Sequence, residues 1–142
     1  MTTGEIQHIT DAEWEVMRIV WTQGKTTSKE VQQFLNQKMD WKTTTIKTLL
    51  ARLVEKNMLS TEKSGNKYIY QSLVEEKSSI QFETAELLEK ICAKEVGAVL
   101  KTIIDDSLLS FDDIERLEEA LEAKKEYAVD AVQCNCTPEQ HS

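Results

Sequence analysis

The stretch Trp41-Lys42-Thr43-Thr44-Thr45-Ile46-Lys47-Thr48-Leu49-Leu50-Ala51-Arg52-Leu53-Val54-Glu55-Lys56 decides the fold. Ile46, Leu49, Leu50, Leu53 and Val54 fall at i, i+3, i+4, i+7 and i+8, the apolar stripe of a helix with about 3.6 residues per turn. That stripe faces a core. The opposite line runs through Thr44, Thr48 and Ala51, flanked by Thr45 and Arg52 on one side and Lys47 on the other. No carboxylate interrupts this outer face before Glu55. Short hydroxyls, one small alanine and flanking cations suit a helix that enters a DNA major groove, where Thr meets base edges and Lys or Arg holds phosphates. With the residues that lead into the helix, the candidate contacts are Lys42, Thr43, Thr44, Thr45, Lys47, Thr48 and Arg52.

Charge is distributed to match. The chain has 142 residues and a net charge of −8, which by itself argues against a polyanion partner. Residues 1–70, however, carry ten Lys and Arg against eight Asp and Glu, whereas residues 71–142 carry seven against seventeen. Within 25–70 the balance is nine cations to four acids, so only the N-terminal half can bind nucleic acid. An apolar content of 40% supports a modest core in one or two small domains. No apolar run approaches the roughly 18 residues of a membrane span, and the first residues lack a signal pattern, so a cytoplasmic protein with no membrane partner is expected.

Ahead of the organising helix, Thr10 with Glu13 has capping-box spacing and opens a helix through Trp14, Met17, Ile19, Val20 and Trp21 that Gly24 closes. The two tryptophans, seven residues apart, read as core packing. Thr27 with Glu30 repeats the start signal for a second helix through Val31, Phe34 and Leu35 that ends near Asp40. Beyond Lys56 the period becomes alternating: Leu59–Lys63 and Lys67–Leu73 read as strands joined by Ser64-Gly65-Asn66. The expected plan is a helix-turn-helix followed by a β-hairpin wing. Lys63 and Lys67 flank the wing tip, either as phosphate contacts or as ordinary surface lysines.

Strand signals stop at Val74. Helical stripes then recur over 75–92 (Ile80, Leu87, Leu88, Ile91), 95–106 (Val96, Val99, Leu100, Ile103, Ile104) and 111–129 (Ile114, Leu117, Leu121, Tyr127), the last opened by Ser110 with Asp113. About 60 residues make a marginal domain, so a second copy is the expected cover for these stripes. The fold class is therefore mostly α with a small β-hairpin. Its domains are a winged helix-turn-helix over 1–73, a three-helix dimerisation arm over 74–129 and a tail over 130–142. A homodimer fits a palindromic double-stranded operator.

In a cytoplasmic tail, Cys134-Asn135-Cys136 is better read as a thiolate metal site than as a disulfide. Zinc needs four ligands, which two tails can supply as four cysteine thiolates, or His141 can join within one chain beside an outside ligand. Cu(I) also suits such sulfur. Cys92, at i+4 from Leu88 and beside Ile91, reads as a small core residue. With no Ser/His/Asp set or phosphate-cradling glycine loop, neither an enzyme nor a small organic substrate is expected.

Ile9–Met17 with Trp21, Asp40–Leu53, Tyr68-Ile69-Tyr70 and Cys134-Asn135-Cys136 together resemble the penicillinase-repressor family of winged-helix regulators, and within it the copper-responsive CopY-type branch. The resemblance implies a dimeric repressor held on an inverted repeat before copper-homeostasis genes while it carries Zn(II), and released when Cu(I) replaces zinc. It also carries DNA contact onto Thr44, Thr45, Lys47, Thr48 and Arg52. The copper branch often has a second C-x-C pair, which would begin at position 141, where this sequence has His141. Two other readings remain: a repressor of the same family answering a β-lactam or protease signal, and a metal-buffering adaptor that binds no DNA.

Overall fold

The structure, a computed structural model, describes residues 6–137. Thr10 starts α1 (Asp11–Gln23) through the anticipated capping box: its hydroxyl accepts the Glu13 N–H at 3.2 Å, and the Glu13 carboxylate accepts the Thr10 N–H at 2.8 Å. Gly24, at φ 82°, ends the helix with its N–H on the Val20 carbonyl. Thr27 caps α2 (Ser28–Leu35), which is shorter than expected. The N–H groups of Lys38 and Met39 both turn back onto the Leu35 carbonyl, so the chain leaves the helix before Asp40. After this turn, α3 spans Thr43–Glu55. It stops where Asn57 takes φ 62° and the N–H groups of Asn57 and Met58 return to the carbonyls of Val54 and Leu53.

The sheet has one strand more than the hairpin read from sequence. β1 (Lys25–Thr27) pairs antiparallel with β3 (Lys67–Ser72), which pairs in turn with β2 (Leu59–Ser64), giving the order β1-β3-β2. Thr26 stands opposite Tyr70 and is buried. In the hairpin Ser64 pairs with Lys67, which leaves a two-residue loop of Gly65-Asn66, with Gly65 at φ 65°. The positive φ is the reason for glycine there.

These elements close over one core. Val16, Met17 and Val20 of α1, Val31 and Leu35 of α2, and Ile46, Leu49, Leu50 and Leu53 of α3 are buried together with Ile9, Met58, Leu59 and Val74. Each such side chain contributes about 1.5–3 kcal/mol by leaving water. Trp14 and Trp21 pack edge to face against this cluster with centroids 5.5 Å apart. The Trp21 indole N–H donates to the Val74 carbonyl at 3.0 Å and to the Ser72 hydroxyl at 3.1 Å.

An ion pair ties the start of α1 to the end of α3. Glu13 is fully buried, and Lys56 Nζ lies 2.6 Å from its Oε1 while also donating to the His8 carbonyl at 3.2 Å. Burial alone pushes the Glu13 carboxyl upward. The hydrogen bonds from Lys56 and Thr10 outweigh it and hold the group below its ordinary value.

The chain divides into two compact units after Thr84, within α4 (Glu76–Lys90). In the second unit, a 3₁₀ turn over Ala93–Glu95 leads to α5 (Val96–Asp106). Ser110 and Asp113 then form a capping box for α6 (Phe111–Lys124), followed by a 3₁₀ turn over Lys125–Tyr127. Among the described residues from Ala85 onward, none is buried. No helix among the described residues is long and apolar enough to cross a membrane.

Because the folded Glu13 pKa is depressed, its contribution is fully present above the unfolded carboxyl value, near pH 4.3, and is lost as pH falls through the lower folded value. Glu13→Gln is expected to cost about 2 kcal/mol at pH 7. Urea melts of both proteins should converge below about pH 4; a gap that stays constant down to pH 3 would refute this.

Candidate nucleic-acid interface and thiol cluster

The burial of Ile46, Leu49, Leu50 and Leu53 fixes the rotation of α3. With that stripe inside, Thr43, Thr44, Thr45, Lys47, Thr48, Ala51 and Arg52 are all exposed, as is Lys42 at the N-cap. The Thr48 hydroxyl donates to the Thr44 carbonyl at 2.9 Å, so this side chain offers a methyl and acceptor lone pairs outward rather than a free donor. Thr43 is engaged sideways, its hydroxyl on Gln32 Oε1 at 2.8 Å, which braces α3 against α2.

The N-terminus of α3 differs from those of its neighbours. Thr10 with Glu13 and Thr27 with Glu30 cap α1 and α2 with a hydroxyl and an acid. By contrast, Lys42 makes no side-chain cap and the first turn of α3 has no acid. A positive helix end beside a lysine suits a phosphate.

The surrounding cations separate into two sets. Lys56 is held by Glu13, while Lys38 at 3.0 Å and Arg18 at 3.9 Å are held by Glu15. Lys42, Lys47, Arg52, Lys63 and Lys67 have no ion pair among the described residues, and all five are exposed. Lys47 and Lys67 share a cleft of about 770 Å³ with Ser28, Lys29, Asn66 and Tyr68. Lys63 is not among the residues lining it. Lys29 and Tyr68 were not singled out from sequence. Lys29 stands two residues past the Thr27 cap, in the first turn of α2 where that helix meets the cleft.

The second site corrects one expectation. Cys92 is not a core residue: α4 ends at Lys90, and Cys92 lies half-buried at the corner before the 3₁₀ turn. Its sulfur gathers with those of Cys134 and Cys136, all three within 4.8 Å of one another. Asn135 brings the tail there, its side-chain oxygen accepting the Ala93 N–H at 2.8 Å, and the Cys136 N–H turns onto Cys134 Sγ at 3.4 Å. The Lys94 backbone N–H, then the Cys134 and Cys136 thiols, draw Cys92 down to about 7. Hydrogen bonding first to Cys134 and then to Cys92 pushes Cys136 up to about 12. Cys92 is thus more readily ionised than Cys136. A set of soft sulfurs fits a thiophilic ion. The third sequence-derived ligand, His141, lies outside the described residues.

Fold and surface together define a winged helix-turn-helix protein. The sequence pattern of the family described as penicillinase repressor matches residues 9–123. The chain is 42% identical over 130 residues to an uncharacterized 16.5 kDa protein of the ptsI 3′ region in Latilactobacillus sakei, covering 92% of this chain and 89% of that one. It is 32% identical over 117 residues to the methicillin resistance regulatory protein MecI of Staphylococcus aureus strain N315, covering 82% and 94%. Among solved structures it is similar to that of the CopR repressor, at 43% identity and a TM-score of 0.42 over 49% of this chain and all of that one. The chain belongs to the penicillinase repressor family, a family of repressors rather than enzymes.

Since Lys47 and Arg52 form no ion pair among the described residues, Lys47→Ala and Arg52→Ala are expected to move folding stability by less than about 0.5 kcal/mol. Thermal and urea unfolding check this; a larger loss would mean that these side chains serve the fold.

Proposed function

We propose that this repressor is a homodimer that holds an inverted-repeat operator of copper-homeostasis genes in the cytoplasm. On this reading its grip is set by the metal bound at its C-terminal thiols. Zn(II) belongs to the repressing form and Cu(I) is the inducer. The observation that carries the reading is the meeting of Cys134 and Cys136 with a third sulfur in a chain of this family.

The DNA contacts are assigned to α3 and the wing. Thr44, Thr45 and Thr48 face base edges, where their methyl groups and acceptors read thymine and exocyclic amines. Lys42, Thr43, Lys47 and Arg52 hold the phosphates on either side, and Lys63 and Lys67 reach the backbone or the minor groove from the wing. The exposure of all nine residues supports this.

Two copies pair through the second unit. There Leu100, Ile103, Ile104, Phe111, Ile114 and Leu117 are exposed in a single chain, Phe111 at 94%. Helices of 11 and 14 residues that bury nothing are marginal alone. A second copy supplies the same ridge and dries both.

Zinc or copper at the tail cross-links sulfur ligands, and a coupling of about 1–3 kcal/mol to DNA binding gives a 5- to 150-fold change in operator affinity. Fluorescence anisotropy at fixed salt should show tight binding of the zinc form to an inverted-repeat duplex and weaker binding once Cu(I) is added. Equal affinities would refute the metal input and favour the β-lactam or protease signal. Failure to prefer the repeat over random duplex would leave only the metal-buffering adaptor. Lys47→Ala should flatten the plot of log affinity against log salt by about 0.9 per contact removed. Ile104→Glu should yield monomers in sedimentation at micromolar concentration and weaken operator binding; an intact dimer would remove the α5–α6 ridge from the interface.

A further inference from the structure

The tail pair alone is an incomplete zinc site and the lowest-coordinate kind of Cu(I) site. Two thiolates from one chain leave Zn(II) two ligands short, and the alternatives require a second tail or an outside donor. The fold supplies a different completion within the chain. Cys92 stands at the corner between α4 and α5, 42 residues before Cys134, yet the three sulfurs lie within 4.8 Å of one another. Asn135, between the two tail cysteines, anchors the tail backbone to this corner through the Ala93 N–H. The Cys136 N–H on Cys134 Sγ folds the C-x-C into a turn that carries both sulfurs to one side.

We propose that Cys92, Cys134 and Cys136 form a complete three-thiolate site for one Cu(I) ion within each protomer, and that the bound ion fastens the tail across the α4–α5 corner. The site deepens the metal-responsive reading and rests on it for its regulatory meaning, though not for its chemistry. Three sulfurs without an oxygen or nitrogen ligand suit Cu(I), which accepts three-coordination, whereas Zn(II) on the same sulfurs still needs a fourth ligand. Each thiol that enters as thiolate releases its proton, and no electron is transferred. The ion also closes a loop that contains all of α5 and α6, the segment that buries nothing by itself. Closing a long flexible loop removes freedom from the unfolded chain, so Cu(I) should firm up these helices as well as the tail.

The test uses the full-length protein, kept reduced and anaerobic, with Cu(I) delivered against a competing Cu(I) chelator. Native mass spectrometry is expected to count one Cu(I) per chain, and X-ray absorption to find about three sulfur neighbours per copper, in line with thiolate-rich Cu(I) chemistry. Cys92→Ser is expected to weaken Cu(I) binding by at least about tenfold and to lower the sulfur count. Wild-type affinity and sulfur count in Cys92→Ser would overturn the site.

A second readout needs no variant. Thiol alkylation of the wild-type protein, mapped by peptide mass, should slow at all three cysteines when Cu(I) is bound. Alkylation of Cys92 at its metal-free rate while Cys134 and Cys136 are protected would overturn the proposal. Operator binding followed in parallel separates the two ideas. Protection of all three thiols with unchanged DNA affinity supports the site and refutes the metal-responsive repressor. Copper-driven release of DNA with Cys92 unprotected refutes the site and leaves the repressor standing.

Discussion

A helix that turns 100° per residue cannot bury one stripe without dictating what the others present. In α3 this constraint governs the molecule. Ile46, Leu49, Leu50 and Leu53 lock into the core of α1 and α2, and the Thr44, Thr48, Ala51 line is thereby aimed into solvent, flanked by exposed Lys47 and Arg52. The rotation is held at both ends. Thr43 is hydrogen-bonded to Gln32 at one end, and Lys56 is clamped on the buried Glu13 at the other. Glu13 serves twice, since it also caps α1, so one carboxylate ties the start of α1 to the residue that follows α3.

The second unit is organised on the opposite principle. Its helices have the periodicity of packed helices but no buried residue, so their stability has to come from something outside their own side chains. Two sources are built into the chain: a ridge of exposed aliphatics that a second copy can cover, and a cluster of sulfurs that an ion can tie together. Both act on the same stretch from the α4–α5 corner to the tail. On the proposed reading, a metal at that corner and a second copy along that ridge would be energetically linked, because each would order residues the other needs ordered.

Much of this was legible in the sequence, and the exceptions have local causes. The Thr10/Glu13, Thr27/Glu30 and Ser110/Asp113 starts are written within four residues because an N-cap side chain bonds the backbone N–H three residues on. The α3 stripe is equally local, and it carries the exposed face with it. β1 escaped because Lys25-Thr26-Thr27 is too short for an alternating pattern and owes its strand state to the partner β3, more than 40 residues away. The hairpin loop came out a residue shorter than expected since Ser64 can still pair with Lys67. Cys92 was misread because the helical spacing from Leu88 was extended beyond Lys90, where α4 stops. Its proximity to Cys134 and Cys136 is a property of the folded second unit, and no spacing rule reaches across 42 residues.

The three tryptophans stand in two different settings. Trp14 and Trp21 form a coupled pair, and the Trp21 indole N–H is shared between Ser72 and Val74, where β3 hands over to α4. Trp41 is half-exposed one residue ahead of Lys42, at the entrance to α3. The protein thus carries its own optical reporters. The pair sits on the strand-to-helix handover, whereas Trp41 sits beside the face assigned to DNA. With Trp41 replaced by Phe, the pair is left as the chain's own optical reporter of that handover.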